Sequence, residues 1–275
     1  MNRSRLKRLR AGLTAVIVML AAAGCGTGGK PPLPPESDGS LQKILDAKQL
    51  ILGLDASFPP MGFTDETGEI VGFDIDVAQE VCNRLGVELV KWPINWDTKE
   101  YALNNGTIDC IWNGMSVTPG RAAEMCLSEP YMRNELIFVV SGRSDAKGVR
   151  DLAGKRVGMQ SGSTAQEALE ASDLYKDVTV VTLDENITLL QCLKEGTLDA
   201  VLLDSVVAYY FISTSKESFF VLPDSLGEED LAIGFRKDDR ELRNRVQEII
   251  SGMKADGTLG EISKKWFGSD ITIVR

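Results

Sequence analysis

The sequence of 275 residues contains no histidine. Histidine is the usual general base of enzymes and the commonest metal ligand, so its absence argues against most hydrolytic and metal-dependent chemistry. Positive charge is also in short supply, because 30 Lys and Arg stand against 40 Asp and Glu and give a formal net charge of −10. Nucleic-acid binding needs clustered Lys and Arg, so this balance predicts no nucleic-acid partner.

Cysteine is scarce, and its spacing excludes the usual metal and redox motifs. Five cysteines are present, and no two of them form a C-x-x-C pair, the spacing typical of zinc and dithiol sites. Cys110 lies in an apolar run and Cys192 between two leucines, so we interpret them as buried free thiols. Because an exported protein can form disulfides, pairing of two among Cys82, Cys110, Cys126 and Cys192 stays open. We predict neither a metal site nor a cofactor.

The N-terminus has the features of an export signal. Five basic residues precede the apolar run Leu13–Ala23, which is shorter than the about 20 residues that span a bilayer. The run leads into Ala22-Ala23-Gly24-Cys25, which resembles a bacterial lipobox, although Ala22 stands where that pattern prefers leucine. We predict a signal peptide at 1–24 and a lipid on Cys25, so that the protein is extracytoplasmic and anchored to the bacterial cell membrane. An ordinary secretory signal is the alternative.

The remainder of the chain divides into a tether and a folded part. Residues 25–40 are rich in Gly, Pro and Ser, which predicts a flexible linker between the lipid and the fold. From Leu41 onward, short β-like runs alternate with helical stretches, the pattern of an α/β protein. No later segment is long and apolar enough to predict a transmembrane helix.

Two segments of the folded part resemble each other. Residues 105–114 and 195–204 each contain G-T-[IL]-D followed by an apolar strand, at an offset of 90 residues. A weaker similarity links the predicted strands at 50–55 and 156–160. Chance similarity between two αβ units is the alternative, but the shared motif favours two related α/β lobes.

The predicted strands of both lobes end in polar residues. Ligands of open parallel sheets bind beyond the carboxyl ends of the strands. The residues at these ends are Asp55, Asn113 and Gly114 in the first lobe and Gln160, Ser161 and Asp204 in the second. If the two lobes face each other, these positions converge on one cleft.

Two candidate residues carry opposite charges. Arg121 lies in the first turn of a helix that begins at the T-P-G run 118–120, where the helix dipole disfavours a cation. Either a nearby acid, Glu124 or Glu129, compensates it, or a ligand carboxylate does. Asp204 ends an apolar strand and needs a backbone N–H or a ligand ammonium as its partner. A cation and an anion on facing lobes complement a zwitterion, which favours an α-amino acid.

Two aromatic residues, Phe58 and Trp96, are candidates for the walls of the cleft. Aromatic residues are usually core residues, so neither is a site marker by itself. Flat aromatic faces near Asp55 nevertheless suit a cationic or polar side chain, partly through cation–π contact.

A set of motifs in a fixed order carries a resemblance to a known family. They are D-A-S-F-P-P at 55–60, G-F-D-I-D-V-A at 72–78, S-V-T-P-G-R at 116–121, S-E-P-Y at 128–131, L-A-G-K-R-V-G at 152–158, L-D-A-V-L-L-D at 198–204 and K-A-D-G-T-L at 254–259. From about Leu41 to the C-terminus the chain resembles the extracytoplasmic amino-acid-binding proteins of ABC importers, solute-binding protein family 3. It is similar to the lysine/arginine/ornithine, histidine and glutamine receptors.

The resemblance implies a periplasmic-binding-protein type II fold, in which two α/β lobes are joined by two hinge strands. Lobe 1 would comprise 41–133 and the returning segment 229–275, and lobe 2 would comprise 134–228. The crossover strands would lie near 132–136 and 223–235. Such proteins work by hinge closure around a ligand, and no chemical step is required.

The resemblance also implies how the ends of an amino acid would be held. Arg121 and the backbone N–H groups of Ser116 and Thr164 would bind the α-carboxylate. Asp204, the Ser116 hydroxyl and the Gly114 carbonyl would bind the α-ammonium.

The ligand side chain would lie in the remaining part of the cleft. Phe58 and Trp96 would sandwich it, and Asp55 would meet its polar end. Three further residues are included in the binding site without an assigned role: Asn113, Gln160 and Ser161. We therefore expect a cationic or polar ligand, with arginine or lysine ahead of glutamine or histidine, and cystine stays open.

The expected function is that of a monomeric lipoprotein that binds a free L-amino acid and delivers it to the permease of an ABC importer. A periplasmic dehydratase-type enzyme on the same fold is one alternative, and the intact zwitterion contacts Arg121 and Asp204 argue against it. A sensory ligand-binding protein is a second, against which the lack of a predicted transmembrane segment argues. A peptidoglycan-cleaving relative would need a second catalytic domain, for which the chain is too short.

Overall fold

The computed structural model describes residues 37–216 and 218–275. The predicted signal peptide at 1–24, the lipid site Cys25 and the linker up to residue 36 lie outside the described residues. No helix in the described ranges combines the length and the hydrophobicity of a membrane span. Within the same ranges, no group of His, Cys, Asp and Glu side chains is arranged to hold a metal ion.

Helices make up a large part of the described chain. The α-helices are α1 (Ser40–Ala47), α2 (Phe73–Leu85), α3 (Lys99–Asn104), α4 (Pro119–Glu124), α5 (Thr164–Ala171), α6 (Asn186–Glu195), α7 (Ser205–Thr214), α8 (Arg240–Asp256) and α9 (Thr258–Phe267). Short 3-10 helices lie at Trp96–Thr98, Val149–Leu152 and Asp173–Lys176.

Strands alternate with these helices along the chain. They are β1 (Gln49–Leu54), β2 (Ser57–Phe58), β3 (Gly62–Thr64), β4 (Ile70–Val71), β5 (Glu88–Pro93), β6 (Cys110–Ser116), β7 (Met125–Leu127), β8 (Met132–Ser141), β9 (Arg156–Gln160), β10 (Thr179–Leu183), β11 (Ala200–Asp204) and β12 (Phe219–Arg236). The sequence prediction of an α/β protein is therefore confirmed.

Most strands belong to one mixed sheet with the order β10-β9-β11-β8-β12-β6-β1-β5, in which β7 also pairs with β12. The two long strands β8 and β12 are antiparallel neighbours at its centre. On one side of them lie β6, β1 and β5, which we call lobe 1, and on the other side lie β11, β9 and β10, which we call lobe 2. The arrangement is that of two α/β lobes joined by two strands.

The two lobes repeat one local arrangement. In lobe 1 the carboxylate of Asp109 accepts the backbone N–H of Ile51 at 3.1 Å. In lobe 2 the carboxylate of Asp199 accepts the backbone N–H of Arg156 at 2.8 Å. Both aspartates come from the G-T-[IL]-D motif. Asp109 joins the segment before β6 to β1, and Asp199 joins the segment before β11 to β9. The two copies of the motif therefore make the same contact in their respective lobes.

The neighbouring positions repeat a packing contact as well. A Cβ atom on Gly53 of β1 would lie 2.4 Å from Ile108, and one on Gly158 of β9 would lie 2.4 Å from Leu198. A separation this short is a clash, so a larger residue at either position would displace the aliphatic side chain of the motif that packs on the strand. The same apolar contact therefore holds β1 and β9 in equivalent positions.

The last residues of the predicted linker belong to the ordered structure. Helix α1 begins at Ser40, one residue before the predicted start of the fold. The carboxylate of Asp38 accepts the backbone N–H groups of Arg240 and Glu241 at 2.9 Å each, and the Ser40 hydroxyl accepts the N–H of Leu242 at 3.0 Å. These bonds satisfy N–H groups at the start of α8 that have no acceptor within the helix.

Candidate functional site

A small cavity lies where the carboxyl ends of β1, β6, β9 and β11 meet between the lobes. Its lining residues are Asp55, Phe58, Trp96, Asn113, Gly114, Ser116, Arg121, Gln160, Ser163, Thr164 and Asp204. Ten of these eleven are residues that the sequence analysis assigned to the ligand site. The structure thus brings residues from four strand ends and two helix starts together around one space.

Ser161 is the predicted site residue that does not line the cavity, and Ser163 takes its place. The Ser161 N–H donates to the carbonyl of Leu183 at 2.9 Å, which holds Ser161 against β10. The Ser163 hydroxyl accepts the N–H of Gln166 at 3.3 Å and donates to the carbonyl of Gln160 at 2.7 Å. Ser163 is therefore the N-cap of α5 and lies at the cavity because that helix begins there.

Arg121 supplies a buried cation to the cavity. The Thr118 hydroxyl accepts the Arg121 N–H at 3.1 Å and so caps α4, while Arg121 Nη1 donates to the carbonyl of Ser116 at 2.8 Å. In the part of the chain that the structure describes, neither Glu124 nor Glu129 forms an ion pair with it. Burial lowers the pKa of Arg121, against the attraction of more distant carboxylates. Of the two interpretations from sequence, the geometry favours the ligand carboxylate.

The start of α5 adds a second anion-binding element beside this cation. Thr164 is the first residue of α5, and the N–H groups of a first helical turn have no acceptor within the helix. Helix N-termini favour anions for this reason and because of the helix dipole. The Thr164 hydroxyl also lies 3.4 Å from the Ser116 hydroxyl of the opposite lobe.

The opposite charge comes from Asp204 at the end of β11. Its side chain is buried, and its Oδ1 accepts a hydrogen bond from Asn134 Nδ2 at 2.6 Å. Burial raises the pKa of Asp204 to about 7, and the nearby Glu229 carboxylate adds to the rise. A cation that enters the cavity would stabilise the ionised form of this buried carboxyl.

Position 114 favours glycine, both for its left-handed backbone and for the space beside it. Its φ is 60°, and a Cβ atom there would lie 2.8 Å from the ring of Phe58. Its N–H donates to Asp74 Oδ2 at 2.7 Å, and Tyr131 donates its hydroxyl hydrogen to the same oxygen at 2.9 Å. Burial raises the pKa of Asp74 to about 7, although both hydrogen bonds oppose this. The buried Asp74 thus holds the backbone of Gly114, the residue whose carbonyl is the predicted ammonium acceptor.

The far end of the cavity is a hydrogen-bonded network around Asp55. Its Oδ1 accepts the N–H and the hydroxyl of Ser57 at 2.8 and 2.7 Å, and its Oδ2 accepts Gln160 Nε2 at 2.6 Å. Gln160 Oε1 in turn accepts Asn186 Nδ2 at 2.9 Å, and Asn113 Oδ1 accepts the Asp55 N–H at 2.8 Å. Burial raises the pKa of Asp55, and its hydrogen bonds lower it in part. This end can accept a cationic or polar group.

The lobes are in direct contact beside the aromatic wall formed by Trp96. Phe58 and Trp96 are both buried, and Lys99 Nζ lies 5.2 Å from the centre of the Trp96 ring. Lys99 donates to the carbonyl of Trp96 at 3.1 Å and across the cleft to the carbonyl of Gly162 at 3.0 Å. A Cβ atom on Gly162 would lie 2.7 Å from the Asp97 Cα. The lobes are therefore in contact here, with the cavity closed between them.

A comparison of the sequence with known families assigns the chain. The profile of the bacterial extracellular solute-binding proteins, family 3, matches residues 50–269. The chain belongs to this family. The match covers both lobes of the solute-binding protein and includes every residue that lines the cavity.

Several named proteins are similar to this solute-binding protein. The L-cystine-binding protein TcyJ of Escherichia coli (strain K12) is 30% identical over 237 residues, which are 86% of this chain and 88% of that protein. The arginine-binding extracellular protein ArtP of Bacillus subtilis (strain 168) is 30% identical over 259 residues, or 93% and 96% of the two chains. Both relatives are named as binding proteins.

A solved structure is similar in fold as well as in sequence. It is an ABC uptake transporter substrate-binding protein from Streptococcus pneumoniae with bound histidine. It superposes with a TM-score of 0.83 at 34% identity and covers 86% of this chain and 99% of its own. The predicted two-lobed periplasmic-binding-protein type II fold is therefore confirmed.

Four residues near the cavity were missed by the sequence analysis. Ser163 had a usable signal, because Ser163 and Gln166 have the spacing of a helix cap. Asp74 lies in a motif that was read as a family marker without a role at the site. Asn134 and Glu229 carry no local signal, since they reach the cavity only through the pairing of β8 with β12.

Proposed function

We propose that this solute-binding protein captures one free L-amino acid between its lobes and delivers it to an ABC-type importer. The observation that carries the proposal is the position of Arg121 and Asp204 at one closed cavity, on elements of opposite lobes. The guanidinium and the start of α5 complement an α-carboxylate, while Asp204 and the Ser116 hydroxyl complement an α-ammonium. The relatives named for cystine, arginine and histidine support an amino-acid ligand.

The ligand side chain would extend toward Asp55, between Phe58 and Trp96. A carboxylate beside two aromatic faces favours a cationic group over an apolar one. The bonds of Gln160 and Asn186 make this end polar rather than purely anionic. We propose a cationic or polar amino acid, with arginine or lysine ahead of glutamine or histidine. Cystine remains in the set, because its second amino-acid group would bring both charges to this end.

Binding would act through hinge closure. We propose that 41–133 with 229–275 and the segment 134–228 move as two bodies about β8 and β12. A ligand that contacts both bodies favours the closed arrangement by its differential affinity for it. The closed protein would then be recognised by the permease. A lipid on Cys25 would keep the monomeric receptor at the outer face of the membrane, close to that permease.

Thermal unfolding of the purified protein against each common L-amino acid, ornithine and cystine tests the proposal. A ligand at about 100 times its Kd stabilises the folded state by about 2.7 kcal/mol, which raises the Tm by several degrees. One amino acid or a small related group should do so, and Arg121→Ala and Asp204→Ala should remove the effect. Arg133→Ala, at an exposed arginine on β8, is the matched control and should keep it.

Two outcomes would contradict the proposal. Folded protein that responds to no amino acid would exclude an amino-acid receptor, and turnover of prephenate-like substrates would then be assayed as a test of the dehydratase-type alternative. A response that survives both charge-removing substitutions would place the ligand outside the cavity.

A further inference from the structure

Two residues on the strands that join the lobes contact lining residues at the anionic end of the cavity. Asn134 of β8 and Glu229 of β12 are direct partners in the antiparallel pairing of these strands. Asn134 Nδ2 donates to Glu229 Oε2 at 3.1 Å and to Asp204 Oδ1 at 2.6 Å. Two carboxylates, one from β12 and one from the end of β11, therefore lie within hydrogen-bond distance of one amide nitrogen.

The same Glu229 oxygen determines which way the Ser116 hydroxyl is used. Ser116 Oγ donates its one hydrogen to Glu229 Oε2 at 2.8 Å. The Thr164 hydroxyl, at 3.4 Å, can donate to Ser116 as well. The lone pairs of Ser116 Oγ are thus left as acceptors at the cavity, which suits an ammonium and disfavours a second carboxylate.

Within residues 37–216 and 218–275, neither of the two carboxylates forms an ion pair with a Lys or Arg side chain. The side-chain amide of Asn134 has two hydrogens, and both are used on Asp204 and Glu229. The cation of the cavity, Arg121, donates to the Ser116 carbonyl instead. Asn134 is neutral, so it positions the carboxylates without cancelling their charge.

We propose that Glu229 is a positioning residue that, together with Asn134, makes this end of the cavity a two-carboxylate site for the α-ammonium of the ligand. The inference rests on the proposed function and extends it to the hinge strands. The ammonium would bind to Asp204 and to Ser116, whose hydroxyl Glu229 orients, and its charge would offset both acids. Because Ser116 belongs to lobe 1 and Asp204 to lobe 2, an ammonium bound to both also favours the closed arrangement of the lobes.

Glu229→Gln tests the inference, with Glu228→Gln as the matched control. Glu228 is the next residue of β12, is exposed and pairs with Glu135 rather than with Asn134. The probes are L-arginine, L-histidine and L-cystine, each compared by calorimetry with its analogue that lacks the α-amino group. For the amino acid that binds, Glu229→Gln should raise the Kd by about 10- to 100-fold, the range for a charge-assisted contact. For the deamino analogue the change should stay below about threefold, and Glu228→Gln should change neither value.

An equal loss for the amino acid and its deamino analogue would overturn the inference, because a merely structural role of Glu229 affects both. An unchanged Kd for the amino acid would overturn it as well. Glu229→Asp keeps the negative charge. If this variant still binds the amino acid more tightly than the deamino analogue, even with a reduced affinity for both, the result would support a role of the charge itself.

A second measurement does not depend on any ligand and so separates this inference from the proposed function. The unfolding midpoint of the ligand-free protein is measured between pH 5 and pH 8. Apart from burial, the charge of Glu229 raises the pKa of Asp204 and the charge of Arg121 lowers it. If Glu229 repels Asp204 at a shared site, Glu229→Gln should reduce the loss of stability over this range, while Glu228→Gln should leave it unchanged. Identical profiles for the two variants would overturn the inference, even if an amino acid binds.

Discussion

Gln160 donates a hydrogen bond of 2.6 Å to the carboxylate of Asp55 across the cavity. The two residues stand at the ends of equivalent strands of the two lobes, because Asp55 directly follows β1 and Gln160 is the last residue of β9. One lobe therefore presents an anion and the other an amide at matching positions. An amide can donate to Asp55 and also accept from a ligand, so the pair can recognise a group that carries hydrogen-bond donors.

Asp55→Asn should separate cationic from neutral ligands. The substitution removes the charge and keeps the shape of the side chain, so the Kd of a cationic amino acid should rise by about 10- to 100-fold, the effect of one charge-assisted hydrogen bond. The Kd of a neutral polar amino acid should rise much less. Calorimetric Kd values for arginine and glutamine measure the difference, with Glu66→Gln, at an exposed acid of the same lobe, as the control. Equal losses for the two ligands would contradict a charge-reading role of Asp55.

Gly162→Ala should oppose closure of the lobes. Gly162 has φ of 67°, and an added Cβ would lie 2.7 Å from the Asp97 Cα of the other lobe. Gly154→Ala is the matched control, because Gly154 has φ of 72° and nothing within 4 Å of its Cβ position. Both variants carry the backbone strain of a left-handed alanine, about 1 kcal/mol, but only Gly162→Ala adds the contact between lobes.

The expected readout is a split between affinity and stability. Both variants should lower the Tm of the ligand-free protein by similar amounts, whereas only Gly162→Ala should weaken ligand binding, by about tenfold or more. Similar affinities in the two variants would mean that the Gly162–Asp97 contact is not part of the ligand-bound state.

The sequence was sufficient to predict much of the cavity because the residues involved follow local signals. Asp55, Gln160 and Asp204 each stand at the end of an apolar strand, Asn113 lies within the apolar strand β6, and Arg121 follows a visible helix start. Strand ends on one edge of a sheet converge, so a list of such ends is close to a list of lining residues.

The misses come from contacts that local patterns do not encode. Ser161 and Ser163 are two residues apart in the turn after β9, and the path of that turn decides which of them lines the cavity. Asn134 and Glu229 are separated by 95 residues, and only the register of β8 with β12 makes them neighbours. Register between distant strands depends on tertiary packing and cannot be inferred from either strand alone.

Asp38→Ala should destabilise the fold without affecting the ligand. The Asp38 carboxylate accepts two N–H groups at the start of α8, and loss of such a cap costs about 0.5–2 kcal/mol. Asp38→Asn should recover part of the loss, since an amide oxygen can also cap a helix. Urea unfolding measures the stability, and an unchanged Kd of the ligand is the control. A variant with full stability would show that the segment before α1 does not contribute to the folded state.

The ligand-free protein should become less stable as the pH rises from about 4 to about 7. Burial raises the pKa of both Asp74 and Asp204 to about 7 in the folded state, above the ordinary value of about 3.9 that applies when the chain is unfolded. The folded state therefore binds more protons than the unfolded state within this window, and raising the pH removes that advantage. Each carboxyl contributes a fall of up to about 1.4 kcal/mol per pH unit.

Two carboxyls with lowered pKa values do not interfere between pH 5 and pH 8. Hydrogen bonds from Thr258 and Thr272 bring the pKa values of Asp256 and Asp270 to about 2, so their contribution to stability changes mainly below about pH 5. Urea midpoints at pH 5 and pH 8 test the prediction, and Asp204→Asn should reduce the difference because its side chain cannot ionise. A bound amino acid should reduce the difference as well, since its ammonium favours the ionised form of Asp204. A ligand-free protein that is more stable at pH 8 than at pH 5 would mean that these buried carboxyls are already compensated within the fold.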